Sequence, residues 1–362
     1  MARGRLHRVS GVLRFGATVL VWLCLLLHPA RAAFTSLYVF GDGACSTTDG
    51  PGGSYYYGDR YSNGRIWVEV LAQWQGISYE STNNYSWYGH YSSNMISTVS
   101  SLQPPADASN ALFVVWACDA DFVKFLEQDN LGVNAAKWTN AINYSLTNHF
   151  SIITNLYYAK GARTLIMPNA VNLIQIPHFT ASANSNFIRQ QTINFNSLFS
   201  SLVSNAVASL PGLTVAAPDV FTLLDNVYVA PTNYGLIKPN TCVIFDLPPS
   251  QWTLNGPGTN YVFWDDFDPT AKFHMWVADT VQRLLPPVQF AGIASVSGSN
   301  RLDVINLPIG RSGVVDASTN FMSWTTSGIT VDTNYAVQSI FVPKSDPQQF
   351  YRIRLPFAWT WP

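Results

Sequence analysis

The sequence predicts an α/β fold built on a parallel sheet covered on both faces, followed by a small all-β module. Three observations lead there. Short, uniformly apolar runs alternate with long amphipathic stretches along most of the chain, which is the pattern of strands buried on both faces between helices. The alternation stops after Pro286-Pro287 and gives way to short β-rich runs separated by Gly, Ser, Asn and Asp. And of the 362 residues 48% are apolar and only 11% charged, against a usual charged share of about 25%, so the chain has core to spare. With a formal net charge of −1 it is neither charge-driven and disordered nor a basic nucleic-acid binder.

Residues 1–32 read as a secretory signal. Arg3, Arg5, Arg8 and Arg14 precede an apolar run of 13 residues, Phe15 to Leu27, and Ala30-Arg31-Ala32 supplies a small-x-small cleavage site. The run is shorter than the roughly 20 residues a membrane span needs. Removing the segment takes five Arg and no acid from 20 basic and 21 acidic residues, so the mature chain carries a formal charge of −6. It keeps Cys45, Cys118 and Cys242, an odd set that allows one internal pair at most.

In the mature chain Leu37 to Phe40 is a strand ending in the turn Gly41-Asp42-Gly43. Ile66 to Gln75 has apolar residues at helical spacing and is closed by Gly76. Ala111 to Trp116 is a second strand. A long helix is predicted over about Ala135 to Lys160 with Gly161 as its stop, then a strand over Thr164–Met167, a helix over Asn184–Leu210, a strand over Leu213–Ala217 and a closing helix over 270–286. Residues 287–362 form the β-module, with strands expected at Val288–Val296, Asp303–Leu307, Phe321–Trp324, Ala336–Val342 and Phe350–Leu355.

Four segments resemble, in order, the blocks of the SGNH/GDSL esterase–lipase family. Tyr38-Val39-Phe40-Gly41-Asp42-Gly43 is similar to the first block, where a strand ends in Gly-Asp-Ser. Tyr61-Ser62-Asn63-Gly64-Arg65 resembles the Ser-Asn-Gly block. Trp116-Ala117-Cys118-Asp119-Ala120-Asp121-Phe122 sits where Gly-x-Asn-Asp-Phe belongs, and Asp265-Asp266-Phe267-Asp268-Pro269-Thr270 resembles Asp-x-x-His-Pro-Thr. The resemblance covers about residues 35–285. It implies an SGNH-hydrolase-like three-layer sandwich over 33–286 and hydrolysis of lipid, acyl or carbohydrate esters, with no cofactor and no metal.

In that family the first-block Ser is the nucleophile and the last-block His its base, oriented by an Asp. Backbone N–H groups and the third-block Asn meet the oxyanion, because a hydroxyl must lose its proton while donors face the developing charge. Carried over, the nucleophile position is Gly43, the base position Asp268, the orienting acid Asp265, the backbone donors Gly43 and Gly64, and the Asn position Ala120. The frame is kept and the reagents are lost.

Other residues are then weighed for the crevice: Asp42, Cys45, His90, Cys118, Asp119 and Asp121. Cys45 and Ser46 are displaced nucleophiles or buried packing. Cys118 is a small buried hydrophobe, a crevice thiol, or the partner of Cys45 in a disulfide. His90 is a substitute base or a hydrogen-bonded loop His. His149 reads as structural, nothing marks His178, and His274, six residues past Asp268, should point away on the following helix. The aspartates are a cation site or loop caps, and the aromatics at Tyr55–Tyr57 and Tyr85–Tyr91 stack on sugar rings or pack. The β-module resembles accessory modules at the ends of secreted bacterial proteins, serving attachment, sorting or stability. The expectation is an extracytoplasmic protein with no membrane span after signal cleavage and no nucleic-acid partner. It should bind a small ester, lipid or carbohydrate ligand in a catalytically impaired cleft, or else hydrolyse it through a displaced nucleophile or an Asp268-activated water.

Overall fold

The computed structural model of the chain describes residues 34–255, 260–286, 288–332 and 334–357. The segment that reads as an export signal, and Pro287 at the expected boundary, lie outside the described residues. Four strands, β1 (Leu37–Gly41), β2 (Leu112–Trp116), β3 (Thr164–Ile166) and β4 (Thr214–Ala216), pair in parallel in that order. Leu37 faces Leu112 and Gly41 faces Trp116, so the first and third sequence blocks leave neighbouring strands side by side. Every residue of β2 is buried, which requires cover on both faces.

That cover comes from helices in two packed groups. α1 (Trp67–Trp74) is followed by α2 (Ser92–Ser101), α3 (Cys118–Glu127), α4 (Ala135–Tyr158), α5 (Ser185–Ser209), α6 (Val220–Val229), the single turn α7 (Val243–Asp246) and α8 (Ala271–Gln282). α2 packs on α4 and α4 on α5, while α1 packs along α8. The caps explain the boundaries. Glu69 accepts the Ile66 N–H at 3.0 Å to start α1, and Gly76 and Gly161 adopt the left-handed backbone that ends α1 and α4. α2, α3 and α6 lie outside the expected helices: α2 offers few apolar residues, whereas α6 places Val220, Leu223, Leu224 and Val227 at i, i+3, i+4 and i+7, a helical stripe that is present in the sequence. Two further strands, β5 (Lys238–Cys242) and β6 (Tyr261–Phe263), form a small parallel pair ahead of α8.

The carboxyl-terminal part has its own apolar cluster, centred on Leu302, Val304, Val315 and Ile340. Its strands are β7 (Gln289–Val296), β8 (Ser299–Ile305), β9 (Gly313–Ser318), β10 (Thr325–Val331), β11 (Gln338–Pro343) and β12 (Phe350–Arg354), in the sheets β11-β8-β7 and β10-β9-β12. Two expectations need correction. Phe321–Trp324 is a turn rather than a strand, because Ser318 and Asn320 side chains bond four successive backbone N–H groups there. And two strands lie outside the expected ones: β10, and β9, which its Gly, Asp and Ser hid although it is the central strand of its sheet.

The module is fastened to the α/β part by a buried ion pair. Asp279 on α8 takes Arg311 Nη1 at 2.6 Å through one oxygen and Arg283 Nη2 at 2.6 Å through the other. Arg311 also lies over the Trp74 ring, and the Ile309 N–H donates to the Trp74 carbonyl at 2.9 Å. Asp279→Ala strands the Arg311 charge in a buried site, a loss of about 3–5 kcal/mol. Denaturant unfolding is expected to show that loss, together with faster limited proteolysis between about residues 285 and 300, whereas Arg301→Ala at a surface pair shifts stability by about 1 kcal/mol or less.

Candidate active site

The carboxyl end of β1 is held from two sides. The Gly41 N–H donates to Ser86 Oγ at 2.9 Å, and the Gly41 carbonyl lies 3.1 Å from His90 Nδ1. A Cβ at Gly41 would stand 2.5 Å from the Cys45 Cβ and Sγ, so only glycine lets the chain fold back over Cys45. Asp42 then accepts the Ala44 N–H at 3.1 Å and caps the 3-10 turn Gly43–Cys45. This turn presents Gly43 to the cleft.

The opposite wall is the loop after β6. Asp265 Oδ1 accepts the N–H groups of Phe267 and Asp268 at 2.9 and 2.7 Å, and its other oxygen takes the Tyr56 hydroxyl at 2.9 Å. The second block ties this loop to the rest: Ser62 Oγ donates to the Pro269 carbonyl at 2.9 Å, and Asn63 Oδ1 accepts the Ala271 N–H at 2.9 Å. Gly64 follows, buried, just before α1. As a result Asp268 leans over Gly43. A Cβ added at Gly43 would lie 3.4 Å from Asp268 Oδ1 and 3.4 Å from the rings of Tyr61 and Tyr88.

Between the walls runs an open cleft of about 930 Å³. Asp42, Gly43, Asp119, Ala120 and Asp268 line it, and its flanks are apolar, formed by residues such as Trp116, Val171, Leu224, Phe263 and Val277. Ala120, at the Asn position, offers no polar atom. Asp119 accepts the Val171 N–H at 2.8 Å. Burial raises Asp42 to about 6; burial and repulsion from Asp42 push Asp119, and burial with repulsion from Asp265 and Asp42 pushes Asp268, well above the usual carboxylate range. Asp265 is raised too, chiefly by burial, against the pull of its three donors.

Four of the residues weighed for the crevice sit behind its wall instead. His90 is wholly buried, stacked on Trp87 and bonded to Gly41 and Thr98, and burial lowers it to about 4, so it stays neutral and supports β1. Asp121 spends its carboxylate on the Ser92 N–H at 2.9 Å and Ser145 Oγ at 2.5 Å, which caps α2 and pins it to α4. Cys45, Cys118 and Cys242 are buried free thiols, so the Cys45–Cys118 disulfide is not formed. The Cys118 Sγ lies 3.6 Å from His149 Nε2 inside the core, and burial raises the thiols of Cys45 and Cys118 well above their ordinary range. Nor do the aspartates make a cation site: among the described residues no three His, Cys, Asp or Glu side chains gather with metal-ligand geometry.

Two histidines matter more than their spacing indicates. His274 lines the cleft although the helical wheel turns it away from Asp268, because α8 itself forms one wall. It is 1% exposed, both ring nitrogens lack a hydrogen-bond partner, and burial lowers it to about 3. His178 bridges Glu127 at the end of α3 (2.7 Å) and Asp266 (3.0 Å) and stacks on Phe267 at 4.2 Å, holding the loop that carries Asp268. The Pro177-His178-Phe179 step approaches that loop only through the tertiary fold, so no local signal marked it.

The α/β part of the chain is similar to known proteins. The model of the GDSL-like Lipase/Acylhydrolase family matches residues 37–281. GDSL esterase/lipase 7 of Arabidopsis thaliana is 26% identical over 194 residues, 44% of this chain and 53% of that protein. A second A. thaliana GDSL esterase/lipase is 24% identical over 191 residues, 48% of this chain and 51% of its own. The chain thus spans about half the length of the relatives it matches. Among solved structures, phospholipase A1 from Streptomyces albidoflavus aligns with a TM-score of 0.42 at 12% identity, covering 69% of this chain and 99% of that one. A lipase from a goat rumen metagenome aligns with a TM-score of 0.42 at 11% identity, covering 69% and 97%.

The buried carboxyls set a pH dependence. A carboxyl whose folded pKa lies above its unfolded value near 3.9 contributes stability below that value and loses it as pH rises through the folded pKa. Asp42 completes that loss near pH 6, and Asp119 and Asp268 act in the same direction. His90 and His274 act oppositely, but their contribution is complete above about pH 6.5. Asp268→Asn removes one of the opposing carboxyls, so in melts taken from about pH 4 to 8 the variant is expected to gain stability relative to the wild type as pH rises.

Proposed function

The chain belongs to the GDSL-like lipase/acylhydrolase family, and from that premise we propose that it is a secreted member whose cleft binds a small acyl, lipid or carbohydrate ester without turning it over by a serine mechanism. The observation that carries this reading is the meeting of Gly43 and Asp268. The nucleophile position points its missing side chain at a carboxyl 3.4 Å away, where the family chemistry needs a hydroxyl facing an imidazole. Position 43 has no atom to attack with. Burial, then repulsion from Asp265 and Asp42, pushes the facing carboxyl well above the usual carboxylate range and favours its protonated form, which donates a hydrogen bond rather than accepting a proton. Nucleophile and base act as a unit, and losing either lowers the rate by on the order of 10⁶.

What remains suits binding. The apolar flanks take an acyl chain or other hydrophobic body, and a few polar groups fix its head. His274 supplies an unpartnered donor and acceptor, and a protonated Asp268 a second donor toward an ester carbonyl. Carboxyls that resist ionisation in company favour a neutral ester over a carboxylate. Tyr88 and Tyr61, their rings 5.6 Å apart, frame the entrance beside Gly43.

The same geometry supports a second reading. The space over Gly43 admits a water beside Asp268, whose raised pKa makes it a stronger base in the fraction that is ionised. Turnover of p-nitrophenyl acetate and butyrate separates the two. The purified wild type is expected to stay near background. Gly43→Ser/Asp268→His should gain activity, because a Ser Cβ fits at ordinary contact distance and no left-handed backbone opposes it. Clear wild-type turnover lost in Asp268→Ala would select the water mechanism. Export is checked separately: amino-terminal sequencing of the secreted product should begin at Ala33-Phe34-Thr35.

A further inference from the structure

The turn joining β9 to β10 has no part in the cleft, yet it is built with care. Phe321 is 61% exposed and Met322 91% exposed at its apex. Phe321 adopts φ +62°, a left-handed conformation that strains a bulky side chain. The turn is nevertheless rigid. Ser318 Oγ accepts the N–H groups of Asn320 and Phe321, Asn320 Oδ1 accepts those of Met322 and Ser323, and Trp324 Nε1 donates to the Phe321 carbonyl at 3.0 Å. An apolar tip is thus held out into solvent by a fixed backbone against local strain, which is the reverse of what stability alone selects.

The surroundings indicate what it meets. Phe321 packs at a tilt against Phe350 with ring centroids 3.6 Å apart, and the Arg352 guanidinium covers Trp324 at 4.5 Å, so one face of each ring is taken up within the module. The apex that remains is an unbranched thioether and a ring edge, which suit a fluid apolar medium. Beside it Arg352 and Arg354, each about half-exposed, share the single buried carboxylate Asp316 and leave one positive charge in excess. The charge is also divided along the chain. Residues 288–357 hold five basic and four acidic groups, whereas residues 34–286 hold ten basic and seventeen acidic ones.

We propose that the β9–β10 turn is a membrane-docking tip, which inserts Phe321 and Met322 at the interface of a bilayer while Arg352 and Arg354 face anionic lipid phosphates. Because the whole chain is slightly acidic, attachment rests on short-range insertion with the two arginines setting lipid preference, and not on long-range attraction. A fixed turn keeps the ordering cost of insertion low.

Flotation of the purified chain with phosphatidylcholine vesicles containing about one-third phosphatidylglycerol tests this. Met322 makes no packing contact the fold needs, so Met322→Asp should melt like the wild type while its vesicle-bound fraction falls about tenfold or more. Binding of the wild type should weaken on pure phosphatidylcholine. Equal flotation of wild type and Met322→Asp would overturn the proposal by assigning lipid contact to the cleft, and so would a wild type that does not float. Retention on an insoluble polysaccharide without flotation would give the turn to a sugar instead.

Discussion

The layout of the cleft depends on a polar clamp between segments two hundred residues apart. Asn63 receives the Ala271 N–H and Ser62 donates to the Pro269 carbonyl, so the second block grips the loop that carries Asp268. Buried amide and carbonyl groups must be paired, and these side chains pair the ones that the start of α8 leaves over. Asp265 completes the arrangement by accepting two N–H groups of its own turn. With the loop fixed this way, Asp268 has one place to stand, opposite Gly43. The clamp stabilises the fold whether or not chemistry follows.

Removing an imidazole and inserting a carboxyl changes the physics of the site beyond losing a base. Asp42, Asp119 and Asp268 share a cleft whose walls are largely apolar, and Asp42 raises the cost of ionising the other two. His274, lowered to about 3, stays neutral, while burial favours the protonated forms of Asp119 and Asp268. The unpartnered His274 and the resisted ionisation of Asp268 are both unfavourable for the empty protein, and such departures concentrate where a ligand is bound.

The β-module follows a different logic. It has a separate apolar cluster but not an independent seat, since Arg311 enters the α/β part to reach Asp279 and Trp74. A buried guanidinium needs a fixed partner, and this fixes the module's orientation at the same time. The turn at Phe321 joins two strands of the sheet β10-β9-β12, whose central strand leads directly from the docked segment.

The sequence by itself determined the α/β class, the four apolar strands, the long helices with their glycine stops, the β-rich end and the frame of the catalytic blocks. These are local or periodic signals: apolar alternation, capping residues and short motifs whose spacing is set by strand-to-helix turns. It also marked Gly43, Ala120 and Asp268 as the positions where the chain departs from the blocks it resembles, since a motif shows its own gaps. Only the tertiary structure decided which remaining residues face the cleft. It set His90, Cys45, Cys118 and Asp121 behind the wall, brought His274 into it, and joined His178 to Glu127 and Asp266. It also made Phe321–Trp324 a turn, through two polar side chains whose reach no β-propensity registers. The physical reason is common to all of these: a side chain's direction depends on what packs against its element from elsewhere in the chain, and linear spacing carries none of that information.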